Sequence, residues 1–326
     1  MSAQALAVHN APPANLRTFD LSRDLLAVAD LVELCFKETL DADGRLYIRQ
    51  MRRTANSGRL LSLAEAASGS TNTPPGGFVW IEADTLVGNL SLIPVHAQGI
   101  IRYLIANVAV HPDFRRKGIA RSLTQAAIAR AEQSGAKEIW LQVDEDNLAA
   151  QALYQKMGFA NHAHRVSWQA RPQPSRVPSS NGTIEVGLRQ RAEWEQHQAW
   201  LNEIYPLSIR WNLPMDIKQF QPGWRGSFQR FLGERRSTQW AAHKDGKLLA
   251  LLTWQSSSLQ SDRLWLATSK HDEVEALPAL LTHAHMNLRP ARNLILNYPA
   301  GRANSMFEEA GYTQLRGLIW MQHAKT

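Results

Sequence analysis

From Tyr103 to Val110 the chain is an almost unbroken apolar run, Tyr-Leu-Ile-Ala-Asn-Val-Ala-Val. That pattern is expected of a strand covered on both faces, because a half-exposed strand would alternate with polar residues. His111-Pro112-Asp113 ends the run, since proline cannot continue a central ladder. The period then changes. Ala120, Leu123, Ala127 and Ala131 fall on one face of a helix expected from Lys117 to Ser134, with Gly135 placed as its C-terminal cap. Any fold for this chain must bury a strand whose end opens directly into a helix.

The surrounding segments can be read the same way. Leu21 to Phe36 carries apolar residues at helical spacing. Phe78–Glu82 and Leu86–Ile93 read as a hairpin turning at Ala83-Asp84-Thr85, and Gly69–Gly77 before it reads as a loop. A strand is expected over Glu138–Val143, a short helix over Asn147–Met157 closed by Gly158, and a strand over His164–Gln169. With 326 residues and roughly 150 per domain, two domains are expected. The Pro- and Ser-rich stretch 171–182 is the linker between them. The organisation is therefore a flexible tail over 1–16, one domain over 17–170, the linker 171–182, and a second domain over 183–326. In that second part, strands are expected over Ile184–Leu188, Gln239–His243, Leu248–Gln255, Leu264–Ala267, Asn293–Asn297 and Thr313–Met321. Helices are expected over Ala192–Tyr205, Asp272–Leu288 and Asn304–Ala310. The matching element order suggests an internal duplication.

Composition narrows the function classes. No apolar run approaches the roughly 18–20 residues that cross a bilayer. The N-terminus lacks the pattern of a secretory signal, so a cytoplasmic protein without membrane association is expected. Cys35 is the one cysteine, which rules out an internal disulfide and argues against a metal site. It reads as a small buried hydrophobe. The net charge of +7 favours an anionic partner. There is no long Lys/Arg tract and no recognised nucleic-acid module, so a solvated basic surface plus one anion site is preferred to nucleic-acid binding.

The anion site is expected at Arg115-Arg116-Lys117-Gly118-Ile119-Ala120-Arg121. The first amides of a helix lack intrahelical acceptors, and its dipole adds partial positive charge there, so phosphate oxygens are drawn to it. Gly118 and Ala120 leave room for a diphosphate to approach the backbone, and Arg115, Arg116 and Lys117 add charge. Taken alone, the segment is equally a basic helix start with one small residue.

Two motifs decide between these readings. Arg115-x-x-Gly118-x-Ala120 resembles the signature Arg/Gln-x-x-Gly-x-Gly/Ala of the GNAT superfamily of acyl-CoA-dependent N-acyltransferases. Asn147-x-x-Ala150-x-x-Leu153-Tyr154-x-x-x-Gly158-Phe159 resembles that family's second motif, in the right order. The resemblance covers about residues 17–170. It implies an α/β (α+β) fold of two tandem GNAT-like domains, each a mixed central sheet flanked by helices, and an N-acetyltransferase using acetyl-CoA as co-substrate.

The resemblance also assigns roles. Backbone groups of Val108, Ala109 and Val110 would bind the pantetheine arm where the central strands splay. The Val110 amide would polarise the thioester carbonyl as an oxyanion hole does. Amides of Arg116 to Arg121, Ile119 among them, would grip the pyrophosphate. Tyr154 would protonate the leaving thiolate, and Asn147 would contact the pantetheine. Asn147 is equally a natural N-cap, and Tyr154 equally a packing residue beside Leu153 and Met157. No general base is assigned: Glu82, Glu38 and Asp41 are candidates, since the strand 103–110 has no carboxylate.

The second half lacks the first motif. After Leu264–Ala267 come Asp272, Glu273 and Glu275, which oppose phosphate, and Phe307 stands where the tyrosine would be. This half resembles a degenerate GNAT domain that no longer uses CoA. Its many tryptophans read as core or interdomain packing, and Pro206–Arg230 as a lid over an acceptor pocket. The expected activity is acetyl transfer to a primary amine of a small molecule or peptide by direct attack. Cys35 lies far along the chain from the motifs, which counts against a covalent route. The alternatives are a non-catalytic CoA-binding regulatory module and a basic nucleic-acid-associated protein. The acceptor, acyl chain length and oligomeric state are not encoded in any motif.

Overall fold

The structure is a computed structural model that describes residues 13–40, 42–57, 76–172, 184–223, 236–257, 261–288 and 292–324. Most of the expected tail and linker, Asp41, and residues 224–230 of the expected lid lie outside the described residues. The first half runs β1 (Leu16–Thr18), α1 (Leu21–Phe36), α2 (Ala42–Ser57), β2 (Gly76–Glu82), β3 (Thr85–Ala97) and β4 (Ile100–Val110). It continues with α3 (Ile119–Gln133), β5 (Glu138–Asp144), α4 (Leu148–Lys156) and β6 (Phe159–Ala170). The second half runs β7 (Glu185–Leu188), α5 (Trp194–Ile204), α6 (Leu207–Arg210), β8 (Ser237–Lys244) and β9 (Lys247–Gln255). Then come β10 (Ser261–Thr268), α7 (Glu273–Asn287), β11 (Asn293–Pro299), α8 (Asn304–Glu309) and β12 (Thr313–His323). No helix among the described residues is long and apolar enough to cross a membrane.

Local chemistry accounts for the element ends. Asp20 caps α1 by accepting from the amides of Ser22 and Arg23. The β2–β3 hairpin turns through Ala83 and Asp84, both at positive φ as a two-residue turn requires. The helix α2 was not anticipated. Its buried apolar positions are Ile48 and Met51, a stripe too narrow to stand out among four arginines.

Among the described residues, twelve strands form one sheet in the order β1-β2-β3-β4-β5-β12-β6-β11-β10-β9-β8-β7. The mixed, helix-flanked sheet expected of each half is present, but the two are continuous. The last strand, β12, lies between β5 and β6 and is antiparallel to both. In turn β6 lies between β12 and β11. Each half lends a strand to the other's core. Met321 of β12 packs with Leu141 and Tyr154 of the first half, and Val166, Trp168 and Ala170 of β6 pack within the second.

The described part of the segment expected to be a lid, 206–223, is not a detached flap. It contains α6, and Ile209, Trp211, Met215 and Phe220 are buried. Trp211 sits between the halves, its ring centroid 5.8 Å from Trp140 and 6.5 Å from Trp320, with the Arg102 guanidinium 5.7 Å away. Large aromatic anchors of this kind gain more from burial than a mobile lid could give up.

Candidate active site

The parallel strands β4 and β5 are in register only from Arg102↔Glu138 to Ile105↔Leu141. Beyond that point β5 keeps only its pairing with β12 on its other edge, while β4 stays with β3 and bends away. The bend has a local cause. Between Asn89 and Ser91 the β3–β4 register slips, and Asn107 takes a left-handed φ of 51°. The buried side chain of Asn89 donates to the Asn107 backbone carbonyl at 3.0 Å, and the side-chain Nδ2 of Asn107 donates to Ser91 Oγ at 3.3 Å. A bulge secured in this way re-aims the strand. It opens a cleft of about 270 Å³ between β4, β5, α1, α2 and α4.

Val108 lines this cleft together with Asn107. Ala109 stands in register with Asn89, its side chain buried among residues of α1 and α2. The His111 amide donates to the Val87 carbonyl at 2.8 Å. Because alternate residues of an antiparallel ladder face opposite ways, Val110 turns its own N–H and C=O away from β3, toward the split. The Val110 carbonyl accepts from Arg115 Nε at 3.2 Å and from Cys35 Sγ at 3.4 Å. Cys35, distant in sequence, is therefore close to the first motif. Burial pushes its thiol pKa up, against the opposing pull of Arg115, and its S–H is engaged with a carbonyl. A thiol held protonated is a weak nucleophile, so burial rather than distance is what disfavours a covalent route.

At the end of β4, Arg115, Arg116 and Lys117 are all exposed. Gly118 forms the N-cap of α3 at φ 81° with no side-chain cap. A Cβ at Gly118 would meet nothing within 4 Å, so the left-handed conformation and not crowding selects glycine here. Gly88 is selected for the opposite reason: a Cβ there would lie 2.9 Å from Ile119 Cγ2 and 2.9 Å from Trp80 Cβ. Close approach at Gly88 seats the start of α3 on β3, with Ile119 buried, Ala120 partly buried and Arg121 exposed. The nearest carboxylate in this turn, Asp113, faces His111. Uncapped amides, small residues and exposed cations fit a diphosphate.

On α4, both readings of Asn147 hold: its Oδ1 accepts from the Ala150 amide at 3.1 Å, and it lines the cleft. Tyr154 is buried, its ring 6.0 Å from Phe159, and it also lines the cleft. Burial pushes its hydroxyl up to about 12, so it stays protonated at neutral pH.

The candidate bases fare differently. Glu82 sits at the hairpin end, bound to Trp80 Nε1 at 2.8 Å, and Glu38 is exposed; neither lines the cleft. Among the described lining residues the one carboxylate is Asp144, at the end of β5. It faces Arg316 of β12, with Nε to Oδ1 at 2.6 Å and Nη2 to Oδ2 at 3.1 Å. Tyr47 of α2 also lines the cleft. Sequence reasoning missed Asn107, Tyr47, Asp144 and Arg316. Only Asn107 carried a signal, as a residue tolerant of left-handed backbone within an apolar strand.

In the second half, the helix start equivalent to the phosphate turn is closed. The Glu273 carboxylate, in the first turn of α7, is 5% exposed and accepts from Tyr298 Oη at 2.7 Å and Arg302 Nε at 2.8 Å. It supplies internally the negative charge that a helix start attracts. Phe307 is fully buried.

A sheet split beside a bulged strand, with an uncapped helix start following it, is the arrangement that the resemblance to the acyl-CoA N-acyltransferases implies. Residues 44–159 match the model of the acetyltransferase (GNAT) family. A stretch of 90 residues is 34% identical to N-alpha-acetyltransferase 30 of Schizosaccharomyces pombe, covering 27% of this chain and 60% of that protein. A stretch of 53 residues is 43% identical to the ribosomal protein bS18-alanine N-acetyltransferase of Escherichia coli, covering 16% of this chain and 36% of that protein. The chain thus spans less than two thirds of the length of these curated relatives. A solved tandem GNAT protein from the clavulanic acid biosynthesis pathway aligns over 95% of this chain and 99% of its own, with a TM-score of 0.54 and 13% identity. That likeness is one of fold, and it extends over both halves.

Proposed function

We propose that this chain is an N-acetyltransferase that moves an acetyl group from acetyl-CoA to a primary amine of a small molecule or peptide by direct attack. The observation that carries the reading is the split between β4 and β5, with a buried, protonated tyrosine in its lining and an uncapped, cation-flanked helix start at its mouth. The relatives described above are named as N-acetyltransferases, which supports an amine acceptor.

In this reading the amides of residues 116–121 and the side chains of Arg115, Arg116, Lys117 and Arg121 hold the pyrophosphate. Val108 and Asn147, which line the cleft, and the backbone of Val110 flank the path of the pantetheine, whereas the Ala109 side chain faces α1 and α2; the Val110 amide donates to the thioester oxygen as charge develops there. The neutral amine nitrogen attacks the carbonyl carbon, the C–S bond breaks, the thiolate takes the Tyr154 proton, and the proton shed by the nitrogen returns through water to restore the tyrosine hydroxyl. Asp144, held in place by Arg316, presents its carboxylate lone pairs to the N–H groups of the acceptor and orients it in the cleft. The second half serves as a scaffold that supplies β12. The absence of cysteine pairs suits a cytoplasmic setting.

The test is a panel of amines, amino acids, polyamines and peptides with acetyl-CoA, following release of free thiol. Acceptor-dependent release is the expected result. Tight acetyl-CoA binding with no transfer to any acceptor would leave only a CoA-binding module.

A further inference from the structure

A second cavity, of about 610 Å³, adjoins the cleft, and Leu40 lines both. One wall comes from the first half, where Arg45 lies in the first turns of α2. The other comes from the strands the two halves exchange: Arg171 just past β6, Asn293 at the start of β11, and Thr313 at the start of β12. Arg45 donates to the Leu40 carbonyl, and Arg171 Nε donates to Asn293 Oδ1 at 3.1 Å. Both partners are neutral. No carboxylate lines this groove among the described residues, and neither arginine makes a salt bridge there. The groove is separate from the phosphate turn at Arg115–Lys117, none of whose residues lines it. At its junction with the cleft the charge changes character, because there Arg316 is neutralised by Asp144.

We propose that this groove holds an anionic group on the acceptor, so that the amines acetylated are those bearing a carboxylate at a distance from the reacting nitrogen. The inference rests on the acetyltransferase reading of the adjoining cleft. Two guanidinium groups with no carboxylate partner among the described residues form a field that selects anions, and Arg presents paired donors suited to a carboxylate. Because Arg171 is held by Asn293 of the second half, and Thr313 of that half completes the wall facing Arg45, the groove exists only where the halves are joined. That gives the degenerate half a part in acceptor choice.

The experiment uses the full chain and matched acceptors that differ only in charge. A tetrapeptide ending in Glu is compared with one ending in Gln, both amidated at the C-terminus. In a second arm, δ-aminovalerate is compared with δ-aminovaleramide, which separates peptide from small-molecule sources. Both kcat/KM and direct binding of each acceptor are measured. In at least one arm the acidic member should be preferred by about tenfold or more. The preference should shrink as salt is raised and collapse toward parity in Arg45→Gln and in Arg171→Gln. Arg171→Lys, which keeps the charge, should retain part of it, and this separates charge recognition from a folding defect. Equal use of acidic and amide acceptors by the wild type overturns the proposal while leaving the transferase intact. Charge-selective binding without turnover on any acceptor upholds the groove and removes the transferase reading instead.

Discussion

Arg316 Nε meets Asp144 Oδ1 at 2.6 Å across 172 residues of chain, and a second bond of 3.1 Å makes the contact bidentate. The pair forms part of the cleft wall, and its cation comes from β12 of the second half. Replacing Arg316 by Gln would leave Asp144 without its fixed partner. The acceptor KM should rise by about tenfold, with the acetyl-CoA Kd changed by less than about threefold. Isothermal titration with acetyl-CoA beside steady-state kinetics with the best acceptor checks the split. A matching loss of acetyl-CoA affinity would mean that the pair holds the fold and not the acceptor.

The strand exchange makes a second prediction about the separated halves. A fragment of residues 1–172 lacks β12, which lies between β5 and β6. It would expose the edges of both strands and lose the packing of Ile319 and Met321 against its core. Each such side chain is worth about 1.5–3 kcal/mol of burial, a large share of a domain's typical 5–15 kcal/mol. The fragment should aggregate or fail to bind acetyl-CoA, and co-expression with residues 173–326 should restore binding. Size-exclusion chromatography of the fragment alone is decisive, and a monodisperse, CoA-binding monomer would contradict the prediction.

Tyr154 supplies the third. Tyr154→Phe should lower kcat by roughly 10²–10⁴-fold, the usual worth of a general acid, while acetyl-CoA still binds. Because burial raises this hydroxyl to about 12, the kcat–pH profile should show no falling limb from its ionisation up to about pH 10. The stability consequence has a definite sign. The folded pKa lies above the unfolded value of 10, so the stabilisation is full below pH 10 and is lost as pH rises toward 12. Tyr205, raised by burial to the same value, acts in the same direction. Chemical denaturation at a series of alkaline pH values measures both.

His197 makes the fourth, on the acid side. It is fully buried, and burial together with Arg189 depresses it from 6.5 to about 3. Arg189 Nη1 lies 3.2 Å from its Nδ1 and Thr253 Oγ1 lies 3.5 Å from its Nε2, so Nδ1 is the acceptor and Nε2 carries the hydrogen. The folded pKa is below the unfolded one. Its contribution is therefore complete above pH 6.5 and is lost progressively as pH falls toward 3. His197→Gln should flatten the decline in thermal midpoint over that window, even if it lowers the midpoint at pH 7. An unchanged acid slope would assign the decline to other groups.

Much of the framework could be read from local patterns. The helix over Leu21–Phe36 and the hairpin strands Phe78–Glu82 and Leu86–Ile93 follow from periodicity, and the Asn147 cap from its place before Leu148. The turn at 115–121 was visible because its features are local: a glycine at φ 81°, a buried Ile119 and three exposed cations are contiguous in the chain. The helix α2 escaped notice because tertiary contact, not a broad apolar face, holds it.

The sequence by itself determined the elements, the turn that suits a diphosphate and the tyrosine that suits an acid, because each depends on side chains within a few residues of one another. The tertiary structure alone decided that β12 crosses into the first half and that Arg316 meets Asp144. It also brought Cys35 against Val110 and placed Arg45 across a groove from Arg171. Those contacts join positions tens to hundreds of residues apart, and no local propensity encodes which buried strand completes which sheet.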